Sequence, residues 1–349
     1  MIKVKYENLL DFCKKILDTI GLDEFSSNAV SEGLCDTSLR GVDSHGIRLL
    51  PHYINSALSG RKNPNPNFMW ENKYPSIISL DADNAFGHAA GIKAVEIGLE
   101  AANSFGIAAV AVKNSSHPGA LSCMTLKAAR QGYISIGFTH ADSLMLSHNG
   151  TRPYFGTNPI SVAVPRLEKE PYCLDMATTM ISWNKLLNFR KKEKQIENDI
   201  AANQFGDSVS DPNEASSLFP AGSYKGFGLA SVVEIFCGVY NGMAFGRDIP
   251  AMFTTPIELK RHLGQFYIFL KTDGSIQNEF FLKAMQNLSD EVRSEPMKNE
   301  IPVQMPNDPE IKTSTDRLKN GIPLDEDLYK AFNDLVIDYK INIKLLNIS

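Results

Sequence analysis

The stretch Gly41-Val42-Asp43-Ser44-His45-Gly46-Ile47-Arg48 sets an acid, a hydroxyl, an imidazole and a guanidinium close together, flanked by glycines. An imidazole can give or take a proton near neutral pH. A planar guanidinium can hold a carboxylate through two parallel hydrogen bonds. The plainer reading has Asp43 or Ser44 capping a helix while His45 only packs, and the motif alone does not choose between them. NSSHPGA (114–120) puts a second histidine, His117, just after an apolar run and beside Pro118-Gly119. A histidine in such a turn is expected to be exposed enough to titrate. In GTNPI (156–160), Thr157 and Asn158 can donate to a ligand or merely form a turn. LDMATTM (174–180) ends an apolar run in Asp175 and continues with small residues past which a ligand can approach closely. SYKGFG puts Lys225 at a helix start, where free N–H groups and an ammonium together favour a phosphate.

The elements that must carry these groups follow from periodicity. Leu9, Phe12, Cys13, Ile16, Leu17 and Ile20 recur at helical spacing before Gly21. A second helix, with Ser26 or Ser27 as its expected cap, presents Val30, Leu34, Thr37 and Ser38 on one side and runs to Arg40-Gly41. The first motif then leads into a third helix, and Asn63-Pro64-Asn65-Pro66 ends the helical portion. Beyond it, IAAVAV (107–112), YISIGFT (133–139), PISVAVP (159–165), YCLDMA (172–177) and GQFYIFL (264–270) are apolar runs bounded by turn residues, as expected of strands in a buried sheet. A small-residue helix carries Ile92, Val95, Leu99 and Ala102, another carries Met124 and Leu126, and a long one starts at Lys225. Residues 325–338 form a closing helix with Leu328, Ala331, Phe332 and Leu335 inward. Strands and helices alternate, so the class is α/β. The expected units are a helical portion over 1–75, completed by 275–349, and a mixed-sheet portion over 76–274.

Composition removes several functions. With 35 Lys and Arg against 40 Asp and Glu, the net charge is −5, which disfavours nucleic-acid binding. The basic run Arg190-Lys191-Lys192-Glu193-Lys194 reads as a solvated helix face. Five widely spaced cysteines form no CxxC pair, so zinc ribbons and redox motifs are not expected, and reduced thiols in a cytoplasmic protein are. The amino terminus lacks the apolar core of a signal peptide, and no run approaches the ~18 apolar residues of a membrane span. No GxGxxG, GxxxxGK[ST], HExxH or GxSxG is present. Gly226-Phe227-Gly228 lacks both the third glycine and the preceding strand of a dinucleotide-binding turn.

GVDSHGIR, a G-x-x-NP turn, LDADN-x-x-G, NS-x-H-x-G, GTNPI, LDMATT, KG-x-GL and a late GIPL, in this order from about residue 5 to Glu326, resemble the type-2 malate/L-lactate dehydrogenases. Ureidoglycolate, sulfolactate and 2,3-diketogulonate oxidoreductases and an imine reductase belong to the same group. The resemblance implies a sulfolactate-dehydrogenase-like fold distinct from the Rossmann fold, a homodimer, and NAD or NADP as cofactor. It matches His117 to the proton acceptor/donor, and His45 to a second histidine to which some members assign that role. Ser44 and Arg48 match residues facing the carbonyl and carboxylate of the substrate, and Thr157 of the GTNPI turn is expected to contact the substrate. Asp175, Met176 and Ala177, with Lys225 and Gly226, match dinucleotide contacts, as does Ala141 by position.

The implied reaction interconverts a small 2-hydroxy acid, sugar acids included, and its 2-oxo acid. The alternatives are a cyclic imine reductase and a non-catalytic ligand-binding relative. NSSHPG stands for the usual NSNHFG, Thr139-His140 for Thr-Asn, Ser147-His148-Asn149-Gly150 for a Trp-Gly-Gly stretch, and Ser182-Trp183-Asn184-Lys185 for a run toward Gly-Lys. Gly264-Gln265-Phe266-Tyr267 and Met305-Pro306-Asn307-Asp308 also depart from the pattern. These changes leave substrate identity and the contacts of the last two regions open, and the choice between NAD and NADP rests on a ribose 2′ pocket that the sequence does not place.

Overall fold

The computed structural model describes residues 2–252 and 254–340; residues 341–349 of the expected C-terminal portion lie outside the described residues. The chain opens with β1 (Ile2–Val4), α1 (Tyr6–Thr19), α2 (Glu24–Leu39), a 3₁₀ turn over Ile47–Leu49 and α3 (Leu50–Leu58). It continues through β2 (Met69–Tyr74), β3 (Ile77–Asp81), α4 (Gly87–Phe105), β4 (Ile107–Ser115), α5 (Ser122–Ala129) and β5 (Tyr133–Thr139). Then come β6 (Met145–Leu146), β7 (Pro153–Phe155), β8 (Ile160–Arg166), β9 (Lys169–Met176), α6 (Trp183–Lys191), β10 (Ala201–Ala202), β11 (Ser208–Val209) and β12 (Ser217–Leu218). The last elements are α7 (Tyr224–Glu234), extended by a π-helical turn over Ile235–Val239, β13 (Leu263–Lys271), α8 (Asn278–Ser294), α9 (Asp308–Asn320), β14 (Ile322–Leu324) and α10 (Glu326–Asp338).

Asp23, rather than Ser26 or Ser27, caps α2: its carboxylate accepts the Ser26 N–H at 2.7 Å, and both serines are buried within the helix. Leu9, Phe12, Ile16, Leu17, Val30 and Leu34 form one apolar core, which Ile322, Leu324 and Phe332 complete from the far end of the chain. β1 and β14 pair antiparallel beside it.

The main sheet has seven strands in the order β2-β3-β4-β13-β5-β8-β9. Only β3–β4 is a parallel pair; its other neighbours run antiparallel. A doubly wound nucleotide-binding sheet is largely parallel, so the fold is α/β without being Rossmann-like. α4 lies close on this sheet because its small residues permit it. A Cβ at Gly98 would stand 2.4 Å from Phe269, and one at Gly91 would stand 2.7 Å from Met124. The helix ends at Gly106, whose φ of 79° favours glycine. A smaller sheet, β11-β10-β12-β6-β7, is made of strands too short to give a period in the sequence. No helix among the described residues is long and apolar enough to cross a membrane.

Candidate active site

The turn after α2 delivers Ser44 and His45, and three ties fix it. Arg317 of α9 donates to both oxygens of Asp43 at 2.5 and 2.9 Å, so the acid of the motif is a structural brace. Ser38 Oγ accepts the Ile47 N–H at 2.9 Å, and a Cβ at Gly46 would fall 2.1 Å from that oxygen, which explains the glycine. Asn184 donates to the Ser44 carbonyl at 2.9 Å. Ser44 Oγ then lies 2.8 Å from His45 Nδ1.

β4 delivers His117. Buried Gln265 clamps the strand end just before it, donating to Ser115 Oγ at 2.6 Å and accepting from Tyr267 at 2.6 Å. The Gly119 N–H donates to His117 Nδ1 at 3.0 Å. That nitrogen is therefore an acceptor, and the neutral ring must carry its proton on Nε2. The His45 and His117 rings stack with centroids 5.6 Å apart and planes at 23°.

Burial, then the neighbouring His45, holds His117 well below the ordinary histidine value. The expectation of an exposed, freely titrating His117 is thereby corrected: the turn is roofed by the helical layer. His45 is lowered to about 4 by burial. Both rings are neutral at pH 7 until an anion enters beside them.

Two cavities meet at His45, His117, Thr157 and Ser182. The first, of about 360 Å³, is lined by Ala141, Asp142, Trp183, Arg247, Met252 and Arg261 among others. The second, of about 420 Å³, is lined by Ser44, Gly119, Ser122, Asp175, Met176 and Ala177 among others. Asp175 accepts the Ser122 N–H at 2.8 Å where α5 begins. The Gly119-Ala120 and Ala177 parts of this second wall put main chain and small side chains beside a helix N-terminus, which fits a flat ring and its ribose.

Ser44, His45, His117, Ala141, Thr157, Asp175, Met176 and Ala177 thus gather around one cleft. Arg48 does not join them. It is exposed between buried Ile47 and Leu49, and its guanidinium pairs with Asp325 at 2.6 Å. The cause is local: the chain turns sharply at Gly46 (φ −91°, ψ −146°) before the 3₁₀ turn, so His45 and Arg48 share no helical phase.

Lys225 is exposed on the first turn of α7, outside the walls of both cavities. Gly226 is a packing glycine, since a Cβ there would lie 2.2 Å from the Ala221 carbonyl. Asn158 is buried and structural, holding Glu234 at 2.7 Å and the Ala141 N–H at 3.2 Å. In the 305–308 region, Asn307 bridges Arg40 of the second cavity at 2.8 Å and the Pro171 carbonyl at 2.7 Å.

Sequence reasoning missed Arg261. Its side chain is 5% exposed and ion-paired with Asp142, and its Nε donates to the Pro250 carbonyl at 2.8 Å. The Nη1 amino group has no protein partner among the described residues, in a side chain that lines the first cavity. Lys260-Arg261-His262 before an apolar strand was the available signal, and it reads as a solvated basic turn.

A family model described as malate/L-lactate dehydrogenase matches residues 4–333. The chain belongs to that family of hydroxy-acid oxidoreductases. It is 32% identical over 292 residues to the ureidoglycolate dehydrogenase (NAD(+)) of Escherichia coli K12, covering 84% of this chain and 82% of that protein. It is 29% identical over 345 residues to a malate dehydrogenase of Pyrococcus abyssi, covering 96% and 94%. The solved structure of malate dehydrogenase from Entamoeba histolytica superposes with a TM-score of 0.92 at 26% identity, covering 98% of this chain and 99% of that one.

Proposed function

We propose that this chain is a cytoplasmic NAD(P)-dependent oxidoreductase that interconverts a small 2-hydroxy acid and its 2-oxo acid where the two cavities meet. The observation that carries this reading is the stacked His45–His117 pair at that junction, with Arg261 on one side and the Asp175–Ala177 wall on the other. The sequence likeness to a dehydrogenase named for NAD(+) supports the cofactor class, and five free cysteines support a reducing compartment.

A nicotinamide along the Asp175–Ala177 wall would supply the hydride. The chain's own groups do the rest. Arg261, its charge balanced by Asp142, offers Nη1 to the substrate carboxylate and so orients the carbonyl carbon. His117 presents Nε2–H to the carbonyl oxygen, where negative charge grows during reduction. Protonating its Nδ1 would break the Gly119 hydrogen bond, so His117 is suited to work as a neutral donor. His45 is not so locked: the Ser44 hydroxyl beside its Nδ1 can donate or accept, which lets the ring exist in both charge states. The transferred proton is therefore assigned to His45, relayed at the oxygen that His117 holds.

The homodimer implied by the resemblance is kept in this reading. Leu229, Val232, Ile235, Val239 and Tyr240 are 40–59% exposed along α7 and its π turn, an apolar stripe suited to a second copy; sedimentation at monomer mass contradicts it. The test of the activity is a panel of 2-oxo acids mixed with enzyme and NADH or NADPH, followed by nicotinamide absorbance. Oxidation of cofactor with at least one oxo acid is expected. Cofactor oxidation only with cyclic imines would overturn the substrate class, and no cofactor binding would favour the non-catalytic alternative.

A further inference from the structure

Arg61 lies outside every group assigned above, yet it is only 3% exposed. A buried guanidinium normally meets a carboxylate. Here it meets main-chain carbonyls of a single loop. Nε donates to Ile257 O at 2.8 Å and Nη1 to Met252 O at 2.9 Å. Nη2 reaches Pro256 O at 2.8 Å and Thr255 O at 3.3 Å. Ser59 adds a bond to Ile257 O at 3.1 Å from the same segment.

Apart from these bonds, the described residues of the loop over 249–262 are held at only a few points. Among its described residues it forms no strand ladder, and Thr254, Pro256, Glu258, Leu259 and Lys260 are exposed. Yet it supplies Ile249, Ala251, Met252, Thr254 and Arg261 to the first cavity. Further ties run to the site itself, where Asp142 accepts the Met252 N–H at 3.2 Å and pairs with Arg261, and to β4, where His262 Nδ1 lies 3.0 Å from Asn114 Oδ1.

Arg61 in turn sits on a fixed base. Next to it, Lys62 lies 3.5 Å over the Tyr53 ring, and the Lys62 N–H bonds the Ser56 carbonyl at 3.0 Å. One planar, permanently charged group thus draws four carbonyl dipoles of an irregular segment onto the end of α3.

We propose that Arg61 is a positioning residue that preorganises the substrate-binding loop, fixing the cavity wall and the Arg261 guanidinium before the oxo acid arrives. It rests on the proposed hydroxy-acid reading for its kinetic consequence, though not for its structural one. Ordering a loop during binding weakens the bound state without altering the chemical step once the complex has formed. A guanidinium-specific clasp is also poorly replaced by an ammonium, which has three donors and no fork.

The test uses Arg61→Met, which keeps the apolar stem, and Arg61→Lys, which keeps the charge. Both are expected to raise KM for the oxo acid by about tenfold or more with kcat within about threefold of wild type. Added ethylguanidinium is expected to restore KM in Arg61→Ala. Independently of turnover, hydrogen exchange at the Met252 and Leu259 amides is expected to speed up about tenfold in Arg61→Met, while α4 and β4 amides keep wild-type rates. Should wild type reduce no oxo acid, the functional reading falls and the exchange measurement still decides the clasp. Unchanged exchange at Met252 and Leu259, or a loss of kcat at constant KM, overturns the proposal. So does full retention of KM in Arg61→Lys.

Discussion

His45→Ala is expected to lower kcat for oxo-acid reduction by about 10²–10⁴, the usual worth of a positioned proton donor, and to change the pH profile as well. In the empty site His45 titrates at about 4, and kcat/KM reports the free enzyme's ionisations. Reduction needs the protonated ring. Above that pKa, kcat/KM for reduction should therefore fall tenfold per pH unit and rise as the solution is acidified toward it. Oxidation, which needs the neutral ring, should have no such limb. Substituting His45 removes the slope.

His117→Ala should also lose about 10²–10³ in kcat, the typical cost of one preorganised donor to a developing oxyanion, but should keep the slope. A flat profile in His117→Ala with the slope kept in His45→Ala reverses the two roles.

The second large effect belongs to Arg261. Charge-assisted hydrogen bonds are worth about 1.5–3 kcal/mol, so Arg261→Lys should raise KM for the oxo acid by about 10–100-fold. Lysine retains a charge for half-buried Asp142, which limits the structural damage that an apolar residue would cause there. Cofactor affinity should hardly move. Arg48→Lys is the control: its pair with Asp325 is a surface contact with both side chains at least a third exposed, worth at most about 1 kcal/mol. KM in that variant is expected within about threefold of wild type. A large KM effect from Arg48→Lys and none from Arg261→Lys would return the carboxylate to the motif that opens the sequence.

That exchange of arginines marks where the sequence could be read and where it could not. His117 was legible because an apolar run ends in a Pro-Gly turn, and strand ends carry chemistry. The β4, β5, β8 and β9 strands were legible for the same reason: buried strands are short apolar runs between turn residues. Arg48 was assigned to the carboxylate by the resemblance and by its place in the motif, and the break in the backbone at Gly46 turns it away from His45.

Asp43 reads in the sequence as the acid of the motif or as a helix cap, because the Arg317 that it braces lies on the ninth helix. No local pattern links the two. Arg261 and Arg61 share that obscurity. Each stands beside a lysine in a turn and reads as solvated, and the packing of α3 against residues 249–262 buries both. Burial of a charge is a tertiary fact. The small sheet was invisible because two-residue strands such as β10 and β11 have no period.

The central claim is hydride transfer to the oxo carbon at the His45–His117 junction. Its most direct test is mass spectrometry of the hydroxy-acid product formed from nicotinamide deuterated at C4 of the transferring face, in ordinary water. The account predicts one deuterium at C2 of the product, and none at C2 when the label is supplied from heavy water instead. Solvent deuterium at C2, or unlabelled C2 with labelled cofactor of either face, would contradict it.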